Sequence, residues 1–227
     1  MRLQVDPLAL RRYESKHLLD RLEAAALETR LAGAPGCVNE PVRWITTIYL
    51  DGPGTPLCRR LVQGSGARSR IRIRSYGVPG DPLFLERKHH RRGQALKTRV
   101  PIAPAALPAV IAGADPRARL VGIGRLVQAP LPVCTVRYER RIYRDAAGTF
   151  RFTIDRALGA AAVAPDWLER LAAGELPAVE PAPDAPVVVE CKHLGSPPRW
   201  IEEALAPHLA PDFSKLAWAF LRLRPGE

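Results

Sequence analysis

The chain of 227 residues is 47% hydrophobic and carries 34 Lys and Arg against 23 Asp and Glu, a formal net charge of +11 with an isoelectric point near 10.2. Such a length fits one large domain or two small ones, with an ordinary globular core and the capacity to fold alone. The excess of cations selects a polyanionic partner, whether nucleic acid, phosphate ester or anionic membrane, and excludes a polycationic one.

The N-terminus, MRLQVDPLALRRYESKHLL, lacks the continuous apolar region of a secretory signal, and no apolar stretch reaches the length of a membrane span. A cytoplasmic protein is expected, with association at the inner face of the membrane only through a membrane protein partner or the basic surface. Cys37, Cys58, Cys134 and Cys191 lie far apart without a C-x-x-C pair, so neither a zinc site nor a disulfide framework is legible. Eight segments show strand-like alternation or β-branched and aromatic content: 10–18, 43–51, 68–76, 83–90, 96–102, 134–144, 149–157 and 186–194. Eight strands suffice for a closed or nearly closed antiparallel barrel.

Helices fall between and after these strands. Asp20 with Glu23 three residues on predicts a capping-box start, and Asp166 with Glu169 predicts another, for a helix ending at Gly174. Residues 102–130 read as a Pro-punctuated helical insertion, and the C-terminus as two helices broken at Pro207 and Pro211. The Pro-rich segment 176–186 reads as a loop, so 1–227 is expected to be a single α+β domain.

Every second residue of these strands collects charge. Arg68, Arg70, Arg72 and Arg74 share one face, with Ile71 and Ile73 opposite. Arg12, Glu14 and Lys16 share another, as do Glu86 and Lys88, Lys97 and Arg99, Tyr138 and Arg140, Arg151 with Thr153 and Asp155, and Glu190 with Lys192. Leu85, Phe152, Ile154, Val187 and Val189 fall on the opposite, apolar faces. One such strand is ordinarily a solvated surface. Recurrence argues for more, because arginines spaced roughly 6.5 to 7 Å apart in line repel unless anions or acids lie between them. Turned inward, this face would form a hydrated cationic channel, which an extended phosphate chain would neutralise.

In this order, RYESK (12–16), TTIYLD (46–51), RIRIRSYG (70–77), FLERK (84–88), LKTRV (96–100), VRYERRIYR (136–144), FRFTID (150–155), VVVECK (187–192) and FSK (213–215) resemble the vacuolar transporter chaperone (VTC) domain. This is a polyphosphate polymerase family of the triphosphate tunnel metalloenzyme, or CYTH-like, superfamily. The resemblance implies an antiparallel eight-stranded β-barrel with flanking helices, a tunnel that binds ATP and polyphosphate on basic residues, and a divalent metal, Mn²⁺ or Mg²⁺. It implies catalytic roles for Lys16, Arg72, Arg74, Lys88, Arg140, Arg151 and Glu190, and phosphate binding by Arg12, Arg70, Lys97, Arg99, Tyr138, Lys192, Ser214 and Lys215. Glu190 matches the family's metal-binding glutamate, and Glu14 is a second candidate ligand. Glu14, Glu86 and Asp155 also read, slightly ahead, as partners that hold a neighbouring Arg or Lys. Ser214 reads equally as the N-cap of the last helix. Leu216 and Asp212 depart from the family, which often has tyrosine at the first position and in some members a basic residue at the second.

The first strand, Arg12-Tyr13-Glu14-Ser15-Lys16, replaces by a cation one carboxylate of the Glu-x-Glu-x-Lys of CYTH triphosphatases. The resemblance therefore favours transfer of the ATP γ-phosphoryl group to a growing polyphosphate chain, a reaction that needs charge neutralisation and in-line placement rather than a side-chain nucleophile. Two alternatives stand beside it: a triphosphatase of the same fold acting on ATP or tripolyphosphate, and a noncatalytic polyphosphate or nucleic-acid binder. Nucleic acid would require aromatics among outward-facing cations, and 68–76 has only Tyr76, so no specific nucleic acid is expected.

Overall fold

The computed structural model describes residues 13–64, 69–77, 81–91 and 94–224, so Arg12 and Arg68 lie outside the described residues. Eight strands are present: β1 (Tyr13–Leu19), β2 (Cys37–Asp51), β3 (Ser69–Ser75), β4 (Leu83–Arg91), β5 (Gln94–Ile102), β6 (Leu131–Asp145), β7 (Phe150–Ala161) and β8 (Val187–His193). They form one eight-stranded antiparallel sheet in the order β1-β8-β7-β6-β2-β3-β4-β5, with β1 and β5 at the two ends of that order. All eight sequence-predicted strands are found. β2 begins at Cys37 rather than at residue 43, because its first residues are mostly exposed and carry no apolar alternation.

Seven α-helices accompany the strands: α1 (Arg21–Ala32), α2 (Pro56–Val62), α3 (Leu107–Ile111), α4 (Arg117–Val121), α5 (Trp167–Ala172), α6 (Arg199–Leu205) and α7 (Lys215–Leu223), counted among the described residues. The capping box of α1 is complete. Asp20 Oδ1 accepts from the Glu23 amide at 2.8 Å, and Glu23 Oε2 accepts from the Asp20 amide at 2.9 Å. The second capping box is not formed. Asp166 has φ −87° and ψ 16°, a turned backbone that does not aim its carboxylate at the following amides, and α5 ends at Ala172 instead of Gly174. Residues 102–130 hold a 3-10 turn (Pro104–Ala106), α3 and α4, with a proline at or near the start of each, and α4 ends at Gly122 in the left-handed region. Pro207 lies within a 3-10 turn (Ala206–His208) after α6, and Pro211 in the link to α7. No helix among the described residues is long and apolar enough to cross a membrane.

The chain divides into two compact units, one of residues 1–43, 139–158 and 184–213, the other of residues 44–138, 159–183 and 214–227. In the first, Leu27 and Leu31 of α1 and Ile201 and Leu205 of α6 pack with Phe152, Ile154, Val187 and Val189 of β7 and β8. In the second, Ile71, Ile73, Leu85, Val100 and Ile102 of β3 to β5 pack with Leu107, Val110 and Val121 from α3 and α4. Burying each such side chain contributes about 1.5 to 3 kcal/mol. In β3 the buried isoleucines alternate with Arg70 and Arg72, so the apolar face is committed to the core and the cationic face is turned away from it.

Candidate phosphate site and its cationic clusters

In the second unit, strand register brings the charged faces of β3, β4 and β5 into rungs. Arg70 lies opposite Lys88 and Lys88 opposite Lys97; Arg72 lies opposite Glu86 and Glu86 opposite Arg99; Arg74 lies opposite Phe84. The middle rung is built around Glu86, which is only 1% exposed. Arg72 Nη2 stands 2.7 Å from Glu86 Oε2 and Arg74 Nη1 3.5 Å from the same oxygen. Lys97 Nζ is 2.9 Å and Arg99 Nε 3.5 Å from Oε1. Arg72 Nε also donates to Oε2 at 2.8 Å, and Arg74 Nε donates to Thr47 Oγ1 at 3.4 Å.

Four cations thus converge on one carboxylate, leaving positive charge in excess. Burial pushes the Glu86 carboxyl up, but Arg72, Arg74 and Lys97 outweigh it and hold the group well below the usual carboxylate range. Lys97 sits below the ordinary lysine range, lowered by desolvation and by Arg72 and Arg74 against the pull of Glu86. The Tyr76 phenol is also lowered, its burial overcome chiefly by Arg74. The lowered Tyr76 phenol reports a positive local potential, the field that favours a multiply charged anion.

Elsewhere in the second unit, Lys215 Nζ lies 4.9 Å from the Tyr138 ring centroid, and Tyr138 is buried. Ser214 Oγ accepts from the Ala217 amide at 3.5 Å as the N-cap of α7, one of the two roles read for it from the sequence. Buried Leu216, where the family often has tyrosine, belongs to the packed face of the same helix.

The first unit carries a second set of charges. Arg140 grips Asp155 through two bonds, Nε to Oδ1 at 2.6 Å and Nη2 to Oδ2 at 2.7 Å, and Asp155 is fully buried. Lys16 Nζ donates to the Phe213 carbonyl at 2.9 Å. Lys192 Nζ is 3.4 Å from Glu14 Oε2, so Glu14 acts here as the partner of a lysine. Glu190 is half-buried on β8, with Lys16 of β1 opposite it on one side and Thr153 of β7 on the other; Arg151 is exposed and lies opposite Lys192.

Among the described residues no three His, Cys, Asp or Glu side chains gather as a cage for a metal ion. The donor set suits a different mode. Mg²⁺ and similar hard cations commonly bind one or two carboxylates and complete their shell with water and substrate phosphates. A half-buried Glu190 offers one such carboxylate. The thiols do not compete for this role: burial holds Cys134 and Cys191 up at about 12, so both remain protonated.

The model of the VTC domain family matches residues 9–220. The chain belongs to the VTC domain family. No curated protein matches this VTC domain. Among solved structures, a Bacillus halodurans protein described as a candidate adenylate cyclase superposes with a TM-score of 0.58 at 12% identity, covering 92% of this chain and 99% of its own. A Hippeastrum protein, described as a candidate adenylyl cyclase with a dominant triphosphatase activity, gives a TM-score of 0.50 at 14% identity, covering 86% of this chain and 84% of its own. At these identities the likeness establishes the shared fold.

Sequence reasoning on this VTC domain read Glu86 as the partner of a neighbouring cation, which the structure shows, but did not find that four cations from the two neighbouring strands share it. It also left out Phe84 and Tyr76. Arg99 Cζ lies 3.6 Å from the Phe84 ring centroid and 4.9 Å from that of Tyr76, and the two rings meet edge to face at 5.6 Å. The missed signal was period-two alternation itself, which places Phe84 on the face of Glu86 and Lys88.

Proposed function

We propose that this VTC domain is a metal-dependent phosphotransferase that moves the γ-phosphoryl group of ATP to the end of a growing polyphosphate chain. The observation that carries this reading is the excess of cations fixed around Glu86. Phosphoryl transfer asks the protein for charge neutralisation and alignment and little covalent chemistry. A terminal oxygen of the polyphosphate attacks the γ-phosphorus, the bond to the β,γ-bridging oxygen breaks, and its electron pair leaves with ADP. Arg72 and Arg74 would supply planar forks to nonbridging oxygens, and Lys88 and Lys97 mobile point charges. Lys16, Arg140, Arg151, Lys192 and Lys215 are the further proposed phosphate contacts, with Glu190 as the metal-holding carboxylate. Bound Mn²⁺ or Mg²⁺ would neutralise charge on phosphate oxygens.

Hydrolysis by the same groups, with water in place of the chain end, is the second reading, favoured by the triphosphatase activity named for the Hippeastrum protein. Incubation with ATP and Mn²⁺ separates the two. The expected outcome is polymer on a stained gel with matching ADP, lost in Glu190→Gln, which also weakens Mn²⁺ binding read by electron paramagnetic resonance. Free phosphate without polymer would select the triphosphatase.

A further inference from the structure

The charged face of β3 to β5 changes character along its length. The rungs of Arg70, Lys88 and Lys97 and of Arg72, Glu86 and Arg99 are ionic, but the next holds Arg74 beside Phe84, with Tyr76 just beyond the end of β3. Successive rungs on one face are spaced by roughly 6.5 to 7 Å. A bare polyphosphate chain gains nothing from the aromatic rung, because its charge density is the same throughout. A ligand with an anionic tail and a flat, weakly polar head matches both parts.

The aromatic end is also built as a platform. The Arg99 guanidinium stacks on Phe84 at 3.6 Å, its Nε is held 3.5 Å from Glu86, and Tyr76 closes on Phe84 edge to face. Arg74, also bonded to Thr47, forms a side-chain hydrogen bond with Tyr76 and so steadies that ring. The Arg99 side chain nonetheless keeps 37% of its surface exposed. An arginine plane held against aromatic rings and still partly exposed is a surface on which nucleobases stack, with little dependence on their hydrogen-bonding pattern.

We propose that Phe84, Tyr76 and Arg99 form a nucleobase platform, so that the nucleotide donor lies along these strands with its base at the Phe84 rung and its γ-phosphate toward Arg70, Lys88 and Lys97. The proposal rests on the phosphate reading of the Glu86 cluster and adds to it a direction and a basis for preferring nucleoside triphosphates over inorganic tripolyphosphate. Stacking makes the site tolerant of the base, so ATP and GTP bind with similar affinity.

The test is calorimetric titration in EDTA, which prevents turnover, using the nonhydrolysable ATP analogue AMP-PNP, tripolyphosphate and ribose 5-triphosphate as probes. Phe84→Leu keeps an apolar side chain and every charge. It is expected to weaken AMP-PNP about tenfold, within the range of one lost stacking contact, and to leave tripolyphosphate within about twofold. In the unaltered protein, ribose 5-triphosphate is expected to bind about tenfold more weakly than AMP-PNP, a comparison that needs no variant to fold. Equal losses for both ligands in Phe84→Leu, or no loss for either, would overturn the platform, as would equal affinity for AMP-PNP and ribose 5-triphosphate. Failure of the unaltered protein to bind tripolyphosphate would instead remove the phosphate reading beneath it.

Discussion

Glu86→Gln destabilises the protein by about 3 to 5 kcal/mol in urea unfolding, the cost of removing one partner from a buried ionic cluster. Glutamine preserves the shape but removes the negative charge that Arg72, Arg74, Lys97 and Arg99 share. Tripolyphosphate returns negative charge to those cations, so it raises the unfolding midpoint of the variant more than that of the unaltered protein. Acid gives the complementary signature. The Glu86 carboxyl is held below its ordinary range in the folded state, so its stabilisation is fully present above about pH 4.3, the unfolded value for glutamate. It is lost as the pH falls from there through the folded value, because the unfolded chain takes up the proton first. In Glu86→Gln this part of the acid slope disappears. An unchanged urea midpoint and an unchanged acid limb would mean that Glu86 is not the hub of these cations.

Asp155→Asn is the second large effect, at about 3 to 5 kcal/mol, by the same reasoning for a broken buried pair. Asp155 is fully buried and receives two short bonds from Arg140, whose side chain is itself only 13% exposed. The amide turns one acceptor into a donor facing the guanidinium, leaving a desolvated cation short of its counter-charge. The double change Arg140→Met with Asp155→Leu removes both charges and recovers most of the lost stability. It does not recover turnover, since Arg140 is one of the proposed phosphate contacts. Recovery of both would assign the pair to folding alone.

Strands were legible in this chain because alternation survives even in charged segments: Ile71 and Ile73 could only be buried with Arg70 and Arg72 on the other face. Register was not legible. Glu86 meets Arg72 on one side and Arg99 on the other through the pairing register of β3 with β4 and of β4 with β5, and no composition rule fixes that alignment. Helix α2 escaped notice for a related reason. Its amides at Leu57 and Cys58 are satisfied by the buried carboxylate of Asp51 at the end of β2, at 3.2 and 2.8 Å, rather than by a residue at the helix start. Asp166, conversely, has the right spacing for a cap and the wrong backbone. Collecting only charges on alternate positions hid Phe84, which the same alternation places among them.

The central claim is that the β3 to β5 face holds a triphosphate chain, and titration of tripolyphosphate into the protein and into Arg72→Met, with the fold of each verified by circular dichroism, tests it most directly. Saturable one-to-one binding that weakens as salt rises, and that falls at least about tenfold in Arg72→Met, is the expected result. Affinity unchanged by loss of Arg72, or insensitive to salt, would contradict it.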